Sequence, residues 1–592
     1  MTAVAPRPSA ATPARAWLKA LETTAQATRD PTRTLARAAG EWAAAHGDAP
    51  AVLSDAEQFS FRRLAERANL YSRWALTAGL AKGDVVALMM GARPEYFALW
   101  LGLTQVGVVV ALLNVNLSGA ALAHCVKVAG ARAAIVATPF AETCADAFAG
   151  LPLDLWPHGG GDEARRVDLA LSAFAGAPLD DGERRATTLS DRALLIFTSG
   201  TTGLPKAAAV SHHRVVAWSH WFAGLADMRA DDRLYDCLPL CHSVGGVAAL
   251  AAALVNGGSV VIAEKFSAGR FWSDVARWDC TIFQYIGELC RYLVAAPPTA
   301  AEKAHRLRLA CGNGLSADVW RSFAERFGLA QILEFYASTE GNLTLYNVEG
   351  KVGAIGRQPP FLAARDAIAL ARFDFEKEEP QRGTDGFCAR CGVGEVGEAL
   401  GRIGREAGQR FEGYTEPTET EKKILRDVFA PGDAWMRTGD LMRRDREGFY
   451  YFVDRVGDTF RWKGENVATS EVAAALSAAP GVREAVVYGV AVANADGKAG
   501  MAALTIDGPP DLEAIARAAS ALPRYARPLF LRLTPALEAT VTFKPMKRTL
   551  AAEGFDPAKV ADPLYVYDAD VETYVALDAT RYAAIASGER RP

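Results

Sequence analysis

A short apolar run followed at once by a loop of hydroxyls, glycines and a lysine is the feature that most constrains this chain. Residues 193–197 (Ala-Leu-Leu-Ile-Phe) are typical of a buried strand, and residues 198–206 then read Thr-Ser-Gly-Thr-Thr-Gly-Leu-Pro-Lys. Glycine lets the backbone approach a ligand closely, and backbone N–H groups, hydroxyls and an ammonium suit phosphate oxygens. The segment therefore predicts a polyphosphate-binding loop. It is not a Walker A loop, which needs Lys directly after its last glycine, because Leu-Pro-Lys-Ala follows Gly203.

Alternating helical patterns and short β-branched runs organise most of the chain. From about residue 49 to 209, runs such as 84–89 and 133–137 are separated by helical stretches, and a similar region extends from about 230 to 350. Such alternation argues for α/β layers with largely parallel sheets. Residues 351–454 are richer in glycine and in short strand-like runs, which favours a β-rich subdomain.

The expected fold class is α/β, with a large N-terminal domain of layered α/β subdomains plus a β-rich subdomain, followed by a small mobile α+β C-terminal domain. The strand-like runs 482–490 and 529–533 indicate the small domain. We expect an N-terminal extension over residues 1–48, the large domain over 49–456 and the small domain over 457–592.

Composition excludes several classes of protein. With 65 Lys and Arg against 69 Asp and Glu, the net charge of −4 offers no general attraction to nucleic acid. The nine cysteines are scattered, and the C-x-x-C pair Cys388 and Cys391 lacks a second pair or nearby histidines, so we expect neither zinc nor redox use. The apolar stretch 96–113 is interrupted by glycines and polar residues, and we interpret it as a helix, a tight turn and a strand rather than a membrane span.

Two segments imitate known signals without the expected context. Residues 1–15 are rich in Ala, Pro and Arg and carry no acid, which is compatible with a transit peptide but favours a disordered start. Residues 392–397 satisfy G-x-G-x-x-G, yet that fingerprint belongs between a strand and a helix of a βαβ unit. We therefore expect turns of the β-rich subdomain at this position.

Several further segments carry residues suited to nucleotide chemistry. They are residues 239–246 (Pro-Leu-Cys-His-Ser-Val-Gly-Gly), 311–315 (Cys-Gly-Asn-Gly-Leu), 334–342 (Glu-Phe-Tyr-Ala-Ser-Thr-Glu-Gly-Asn), 435–440 (Trp-Met-Arg-Thr-Gly-Asp), 448–467 and 539–547. Each has an ordinary interpretation as a surface turn or a structural histidine, and their joint occurrence favours the nucleotide interpretation.

Together with the phosphate loop, these segments resemble the motifs of the adenylate-forming superfamily, which includes acyl-CoA synthetases, luciferases and adenylation domains of peptide synthetases. Residues 336–340 resemble its Y-G-x-T-E motif, with Ala337 in place of glycine. Residues 454–467, D-R-V-G-D-T-F-R-W-K-G-E-N-V, more narrowly resemble the fatty acid transport protein / very-long-chain acyl-CoA synthetase family. The resemblance extends over about residues 49–577.

The resemblance implies a role for each motif residue. The implied catalytic residues are Lys206, His242, Glu340 and Lys544, with Lys547 as the alternative to Lys544 because Val541 replaces the family's glycine. The implied ATP-binding residues are Thr198, Ser199, Gly200, Thr201, Thr202, Gly203, Gly312, Asn313, Gly314, Tyr336, Thr339, Asp440 and Arg455. Glu340 and Thr201 would hold Mg²⁺, Gly457 would be the hinge, and the implied CoA-binding residues are Arg461, Lys463, Gly464 and Glu465.

The activity implied by the resemblance is ATP-dependent ligation of a long-chain or very-long-chain fatty acid to CoA. The carboxylate attacks the α-phosphorus of ATP, pyrophosphate leaves, and the CoA thiol then displaces AMP from the acyl-adenylate. ATP, CoA, Mg²⁺ and a fatty acid are therefore the expected ligands. We expect a cytoplasmic protein, and the sequence leaves open both peripheral association with the inner face of a membrane and a homodimer.

Two alternatives stay open. One is a CoA ligase for another carboxylate, such as an aromatic or bile acid, because pocket residues are not legible in a single sequence. The other is a non-catalytic fatty acid carrier, which would bind fatty acid without consuming ATP. The full set of nucleotide motifs argues against the carrier.

Overall fold

The computed structural model describes residues 12–199, 204–365, 367–375, 377–405, 409–463, 465–493, 495, 497–537 and 547–589. The chain divides into two compact units, the first made of Met1–Arg365 and Ile403–Ile424 and the second of Asp366–Arg402 and Leu425–Pro592. Both are mixtures of helices and sheets, so the predicted α/β class is confirmed. The predicted domain boundaries near residues 48 and 456 stay predictions.

The first unit contains fifteen strands and thirteen α-helices among its described residues. The strands are β1 (Pro50–Leu53), β2 (Gln58–Ser60), β3 (Val85–Met89), β4 (Val109–Leu112), β5 (Ala133–Ala137), β6 (Asp154–His158), β7 (Arg192–Ser199), β8 (Pro205–Ser211), β9 (Arg233–Asp236), β10 (Ser259–Ile262), β11 (Ile282–Ile286), β12 (Leu309–Asn313), β13 (Ile332–Ala337), β14 (Thr344–Asn347) and β15 (Gly356–Arg357). The helices are α1 (Pro13–Ala27), α2 (Leu35–His46), α3 (Phe61–Thr77), α4 (Pro94–Gln105), α5 (Gly119–Ala129), α6 (Ala141–Phe148), α7 (Val167–Ala170), α8 (His212–Leu225), α9 (Leu250–Leu254), α10 (Ala268–Arg277), α11 (Gly287–Ala295), α12 (Ala317–Phe327) and α13 (Pro417–Glu421).

Two sheets form the framework of the first unit. One has the strand order β6-β5-β3-β4-β7-β8, in which every pair is parallel except the antiparallel β7 and β8. The other runs β15-β14-β13-β12-β11-β9-β10-β1-β2, with parallel pairing from β13 through to β1. Apolar side chains from both sheets and from α3, α4 and α8 share one buried core. The predicted α/β layers with largely parallel sheets are therefore present.

The apolar stretch 96–113 folds as predicted. Helix α4 is buried from Pro94 to Thr104, the chain turns at Gly107, whose φ of +79° favours glycine, and strand β4 follows. A helix covered on all sides needs apolar residues all round, which explains its resemblance to a span. Among the described helices, none combines the length and the apolar character needed to cross a membrane.

The N-terminal segment is more ordered than predicted. Helix α1 begins at Pro13, so the expected disorder up to Arg15 is wrong for the part of it that the structure describes. Trp17 lies 5.9 Å from Trp221 and 5.8 Å from Tyr346, measured between ring centroids. Burial of this apolar face is the stabilising contribution that the composition of residues 1–15 alone did not reveal.

The second unit contains the remaining elements. Its strands are β16 (Ile368–Asp374), β17 (Glu379–Pro380), β18 (Val396–Arg402), β19 (Ile424–Arg426, whose first residue is the last of the first unit), β20 (Ala434–Arg444), β21 (Phe449–Arg455), β22 (Phe460–Trp462), β23 (Glu465–Val467), β24 (Val482–Ala491), β25 (Lys498–Ile506), β26 (Phe530–Leu533), β27 (Leu564–Asp568) and β28 (Thr573–Ala576). Its helices are α14 (Thr469–Ser477), α15 (Leu512–Ser520), α16 (Lys547–Glu553) and α17 (Ala579–Ala586).

Antiparallel pairing dominates the second unit. Strands β17-β16-β18-β20-β21 form one sheet, β22 and β23 form a hairpin, and β24-β25-β26-β27-β28 form another sheet with its own apolar core. The glycine pattern 392–397 lies in a turn that leads directly into β18, so the expected turn is confirmed. The β-rich and α+β segments expected after residue 350 are likewise present.

Candidate active site

The predicted phosphate loop joins the ends of two antiparallel strands. Thr198 on β7 pairs with Lys206 on β8, and residues 200–204 lie between the two strands in the sequence. Gly200, Thr201, Thr202 and Gly203, which were predicted to bind phosphate, lie outside the described residues. The Lys206 ammonium forms an ion pair with Glu419, and hydrogen bonding from Lys206 is the main cause that lowers the pKa of that carboxyl. Lys206 is therefore already directed at an anionic group.

A segment remote in sequence lies along this hairpin. Residues 412–423, which we name the strap, run antiparallel to β8 where they pass it. The Ala209 N–H donates to the Gly413 carbonyl over 3.0 Å, and the Ser211 N–H donates to the Glu412 carboxylate over 2.7 Å. The position of the strap is thus fixed by main-chain hydrogen bonds. Sequence reasoning missed it, because such pairing leaves no periodic signal.

The strap connects the hairpin to Glu340, the predicted magnesium ligand. Glu340 follows β13 and is 9% exposed. Burial is the main cause that raises the pKa of the Tyr414 hydroxyl; the neighbouring Glu340 carboxylate acts in the same direction and the Thr198 hydroxyl in the opposite one. The Lys423 ammonium lies 4.0 Å from Glu340 Oε1. The structure therefore brings Thr198, Lys206 and Glu340 into one neighbourhood through residues that no motif analysis singled out.

A half-buried arginine holds the turn after Glu340. The Arg214 guanidinium, at the start of α8, donates to the carbonyls of Glu340 and Gly341 over 3.3 and 2.5 Å. It also lies 4.8 Å from the centre of the Trp218 ring. Burial lowers the pKa of Arg214, and the carboxylates of Glu412 and Glu340 act in the opposite direction. Withdrawing a cation even partly from water is costly unless partners compensate it, so these contacts fix the turn.

The predicted His242 segment lies beside the same turn. The Ser243 and Thr339 hydroxyl oxygens are 3.1 Å apart, which joins two of the predicted motifs. His242 is half-buried, and its carbonyl accepts from the Gly246 N–H over 2.7 Å as a π-helical stretch, Val244–Ala249, begins. Such π-helical turns occur frequently at functional sites.

A buried glutamate supports the predicted adenine loop. Glu334 on β13 accepts from the Gly314 N–H over 2.5 Å, from the Leu315 N–H over 3.1 Å and from the Tyr285 hydroxyl over 2.5 Å. Burial raises the pKa of Glu334 to about 8 despite these bonds. A Cβ on Gly312 would lie 2.2 Å from the Tyr285 carbonyl oxygen, so the loop requires glycine there. Glu334 is the first residue of the segment 334–342, yet its support of the glycine loop was not predicted from the sequence.

Three buried polar atoms near these strand ends have no hydrogen-bond partner among the described residues. They are Asp236 Oδ2, Gln284 Nε2 and Asn313 Oδ1. Asn313 was predicted to bind nucleotide, and an amide oxygen in this position suits an amino-group donor such as that of adenine. The carboxylate of Glu340 likewise suits a hard cation such as Mg²⁺, so the residues present fit a magnesium nucleotide. Tyr336, also predicted to bind nucleotide, lies half-buried on β13.

In the second unit, the predicted ribose ligand is paired with the predicted arginine. Asp440 on β20 lies opposite Arg455 on β21, and Arg455 Nε is 3.4 Å from Asp440 Oδ1. The fully buried Glu398 accepts from Arg437 over 2.7 Å and from the Gly439 N–H over 3.2 Å. Glu398 thereby fixes the irregular stretch of β20 at Asp440, where the pairing with β18 shifts register, and its role was not predicted from the sequence.

The predicted hinge and CoA segment follow β21. Gly457 has a φ of +86°, a conformation that favours glycine, and a Cβ there would meet no atom within 4 Å. Arg461 and Glu465 lie on the β22–β23 hairpin, and the Lys463 ammonium is 5.3 Å from the centre of the Trp462 ring. Gly464 lies outside the described residues.

Of the two candidate adenylation lysines, only Lys547 lies among the described residues. Lys544 lies outside the described residues, so its assignment stays a prediction. The Lys547 ammonium donates to the Thr469 hydroxyl over 2.6 Å and to Asp458 Oδ2 over 3.2 Å. The buried Asp454 also accepts from Thr469, and burial raises the pKa of this carboxyl. Lys547 thus belongs to a local network beside Gly457.

Comparison with known proteins identifies the family. The model of the AMP-binding enzyme family matches residues 40–365, and that of the AMP-binding enzyme C-terminal domain matches residues 471–544. Long-chain fatty acid transport protein 1 of Mus musculus is 41% identical over 546 residues, covering 90% of this chain and 84% of that protein. The chain belongs to the fatty acid transport protein family of AMP-binding enzymes. Long-chain fatty acid transport protein 6 of Mus musculus is similar at 41% identity, covering 91% and 88%.

Solved structures share the fold of this fatty acid transport protein relative. ATP-bound MatB from Rhodopseudomonas palustris aligns with a TM-score of 0.73 at 22% identity, covering 87% of this chain and 98% of that one. The anthranilate CoA ligase AuaEII in complex with anthranoyl-AMP aligns with a TM-score of 0.75 at 20% identity, covering 88% and 97%. At these identities the likeness establishes the fold alone. The roles assigned to individual residues stay predictions.

Proposed function

We propose that this protein activates a long-chain or very-long-chain fatty acid with ATP and ligates it to CoA, releasing AMP and pyrophosphate. The observation that carries the proposal is the convergence of Thr198, Lys206 and Glu340 around Tyr414 in the first unit. A hydroxyl, an ammonium and a carboxylate in one place are the groups that a magnesium polyphosphate needs. The names of the relatives support a fatty acid as the carboxylate.

The chemistry asks for charge neutralisation. A carboxylate must approach the α-phosphorus of a polyanion, so catalysis rests on positioning and electrostatics. Lys206, now paired with Glu419, would move to the phosphates, and Glu340 with Thr201 would hold Mg²⁺. The metal, when bound, neutralises phosphate charge and orients the leaving pyrophosphate. Glu334 and Gly312–Gly314 would receive the adenine.

The second half-reaction would use residues of the second unit. Asp440 would bind the ribose of ATP. Gly457, which lies between β21 and the β22–β23 hairpin in a left-handed conformation, would be the hinge. The segment Arg461–Glu465 would contact CoA. Lys544 would bridge the carboxylate and the α-phosphate in the first step only. Excluding water matters because an acyl-adenylate hydrolyses readily.

Two other functions are tested by the same experiment. A CoA ligase for an aromatic acid has structural support, since anthranilate and benzoate CoA ligases share the fold at 20% identity. A fatty acid carrier has support only in the names of the relatives, which call them transport proteins. The family to which the chain belongs is described as an AMP-binding enzyme family, which favours catalysis.

The test is AMP release with Mg²⁺-ATP and CoA across straight-chain acids from about C4 to C24, benzoate and a bile acid, with a Lys206→Met variant as the control. We expect a maximum among the long chains and a loss of about 10²–10³-fold in Lys206→Met, the scale of one preorganised charge contact. A maximum at benzoate or the bile acid would replace the fatty acid by that carboxylate. No AMP release with any of the acids, combined with measurable binding of fatty acid, would favour the carrier.

A further inference from the structure

Tyr414 occupies a position that no nucleotide motif predicts. Its side chain is only 8% exposed. The strap residues on either side of it are bonded to β8, through the Gly413 carbonyl over 3.0 Å and the Thr415 N–H over 2.9 Å. The backbone therefore holds this one side chain against the phosphate hairpin.

One side chain touches three groups that the proposed function assigns to the magnesium nucleotide. The Glu340 carboxylate and the Thr198 hydroxyl are the hydrogen-bonding neighbours of the Tyr414 hydroxyl, and they act on its pKa in opposite directions. Its ring lies 5.8 Å from the Lys206 ammonium, a cation–π distance. Thr198 belongs to β7 of the hairpin and Glu340 follows β13, so two segments remote in sequence meet at this hydroxyl.

We propose that Tyr414 is a positioning residue that fixes Glu340 and Thr198 in place for the magnesium nucleotide. The inference rests on the proposed function. A carboxylate that binds a metal is usually held by a further hydrogen bond, and loss of that bond typically costs 10–100-fold in metal affinity or activity. The Tyr414 hydroxyl, held by the strap beside Glu340 and Thr198, is placed to supply such a bond to the metal ligand and to join it to the first hydroxyl of the phosphate loop.

Packing alone is the competing explanation, and Tyr414→Phe separates the two. Phenylalanine keeps the ring, its burial and its contact with Lys206, and it removes only the hydroxyl. If the side chain merely fills space, the requirement for Mg²⁺ stays unchanged. If the hydroxyl positions Glu340, the Mg²⁺ requirement rises while the affinity for CoA does not.

A matched control exists in the same unit. Tyr71 is fully buried, and its hydroxyl donates to Glu95 and lies 3.0 Å from His158 Nε2. Tyr71→Phe therefore removes a buried hydroxyl from a different hydrogen-bond network. Both variants should lose a similar amount of thermal stability, measured as a similar fall in Tm, because each removes one buried hydroxyl.

The experiment uses the full chain and measures pyrophosphate release with a fatty acid while Mg²⁺ is varied at fixed ATP. We expect the Mg²⁺ concentration for half-maximal rate to rise about 10–100-fold in Tyr414→Phe and to stay unchanged in Tyr71→Phe. An unchanged Mg²⁺ requirement in an active Tyr414→Phe protein would overturn the inference. An equal rise in Tyr71→Phe would overturn it too, since general destabilisation would then explain the effect.

A second measurement keeps the inference separate from the proposed function. Calorimetric titration of Mg²⁺-ATP into wild type and Tyr414→Phe reports binding without turnover. If no carboxylate is activated but wild type binds Mg²⁺-ATP more tightly than Tyr414→Phe, the ligase proposal fails and the inference stands. Tyr414→His, which keeps an N–H donor for Glu340, is the second variant; we expect its Mg²⁺ requirement to fall between the other two, and a shift as large as that of Tyr414→Phe counts against the bond.

Discussion

Glu334 offers the sharpest quantitative test of how the first unit is built. This carboxyl group is buried and accepts hydrogen bonds from the Tyr285 hydroxyl and from the N–H groups of Gly314 and Leu315. Glu334→Ala leaves these three donors without their partner, and two of them, the Tyr285 hydroxyl and the Leu315 N–H, are buried. Glu334→Gln keeps the shape, keeps one oxygen for the two N–H groups, and places its amide N–H toward the Tyr285 oxygen.

The structure sets the magnitudes. An orphaned buried donor costs about 1–3 kcal/mol, so the two buried donors of Glu334→Ala are expected to lower the free energy of unfolding by at least about 2 kcal/mol. Burial raises the pKa of Glu334 to about 8, well above its ordinary value of 4.5. The protonated form is therefore favoured by folding, and its contribution to stability is complete below pH 4.5 and falls as the pH rises toward 8.

The assay is urea unfolding of wild type, Glu334→Ala and Glu334→Gln between pH 5 and 9, with the KM for ATP measured in parallel. Because glutamine does not titrate, Glu334→Gln should gain stability relative to wild type as pH rises, by up to about 1.4 kcal/mol per pH unit. Parallel profiles of Glu334→Gln and wild type would refute the buried, proton-binding carboxyl group. An unchanged ATP KM in Glu334→Ala would refute its support of the glycine loop.

Three further predictions concern the second unit. Lys544→Ala should lower pyrophosphate release by about 10²–10³-fold while sparing thioester formation from supplied acyl-adenylate. Lys547→Ala should lower pyrophosphate release by a smaller factor. A larger loss in Lys547→Ala than in Lys544→Ala would make Lys547 the adenylation lysine. Gly457→Pro, whose ring fixes φ near −65° where the chain has +86°, should slow thioester formation more than pyrophosphate release; equal loss in both steps would contradict the hinge. Glu398→Gln, which breaks the buried pair with Arg437, should cost about 3 kcal/mol and raise the ATP KM; unchanged denaturation and kinetics would contradict its support of Asp440.

Several strands, one helix and one turn could be predicted from runs of apolar residues and glycines in the sequence. The apolar run before Thr198 forms β7, the run 133–137 forms β5, and the stretch 96–113 folds as helix, turn and strand. The glycines at 392–397 form a turn before a strand. In each case burial on one or both faces dictates composition, and composition is legible in a single sequence.

The remaining features depend on contacts between distant segments. Tyr414 and Glu419 reach the phosphate hairpin from more than 200 positions away, and hydrogen bonds between main chains carry no sequence pattern. Glu334 and Glu398 are single carboxylates inside apolar strands, where their partners are backbone N–H groups and side chains from other strands. The packing of α1 against α8 could not be predicted either, because it depends on the contact between Trp17 and Trp221, which are remote in sequence.

The measurement that tests the account most directly is the fate of carboxylate oxygen. Wild-type protein is supplied with a long-chain fatty acid labelled with ¹⁸O in its carboxyl group, together with Mg²⁺-ATP and CoA, and the AMP is analysed by mass spectrometry. Attack of the carboxylate on the α-phosphorus predicts that each AMP released carries one ¹⁸O atom. AMP without label, or unlabelled ADP and phosphate as the products, would contradict activation through an acyl-adenylate.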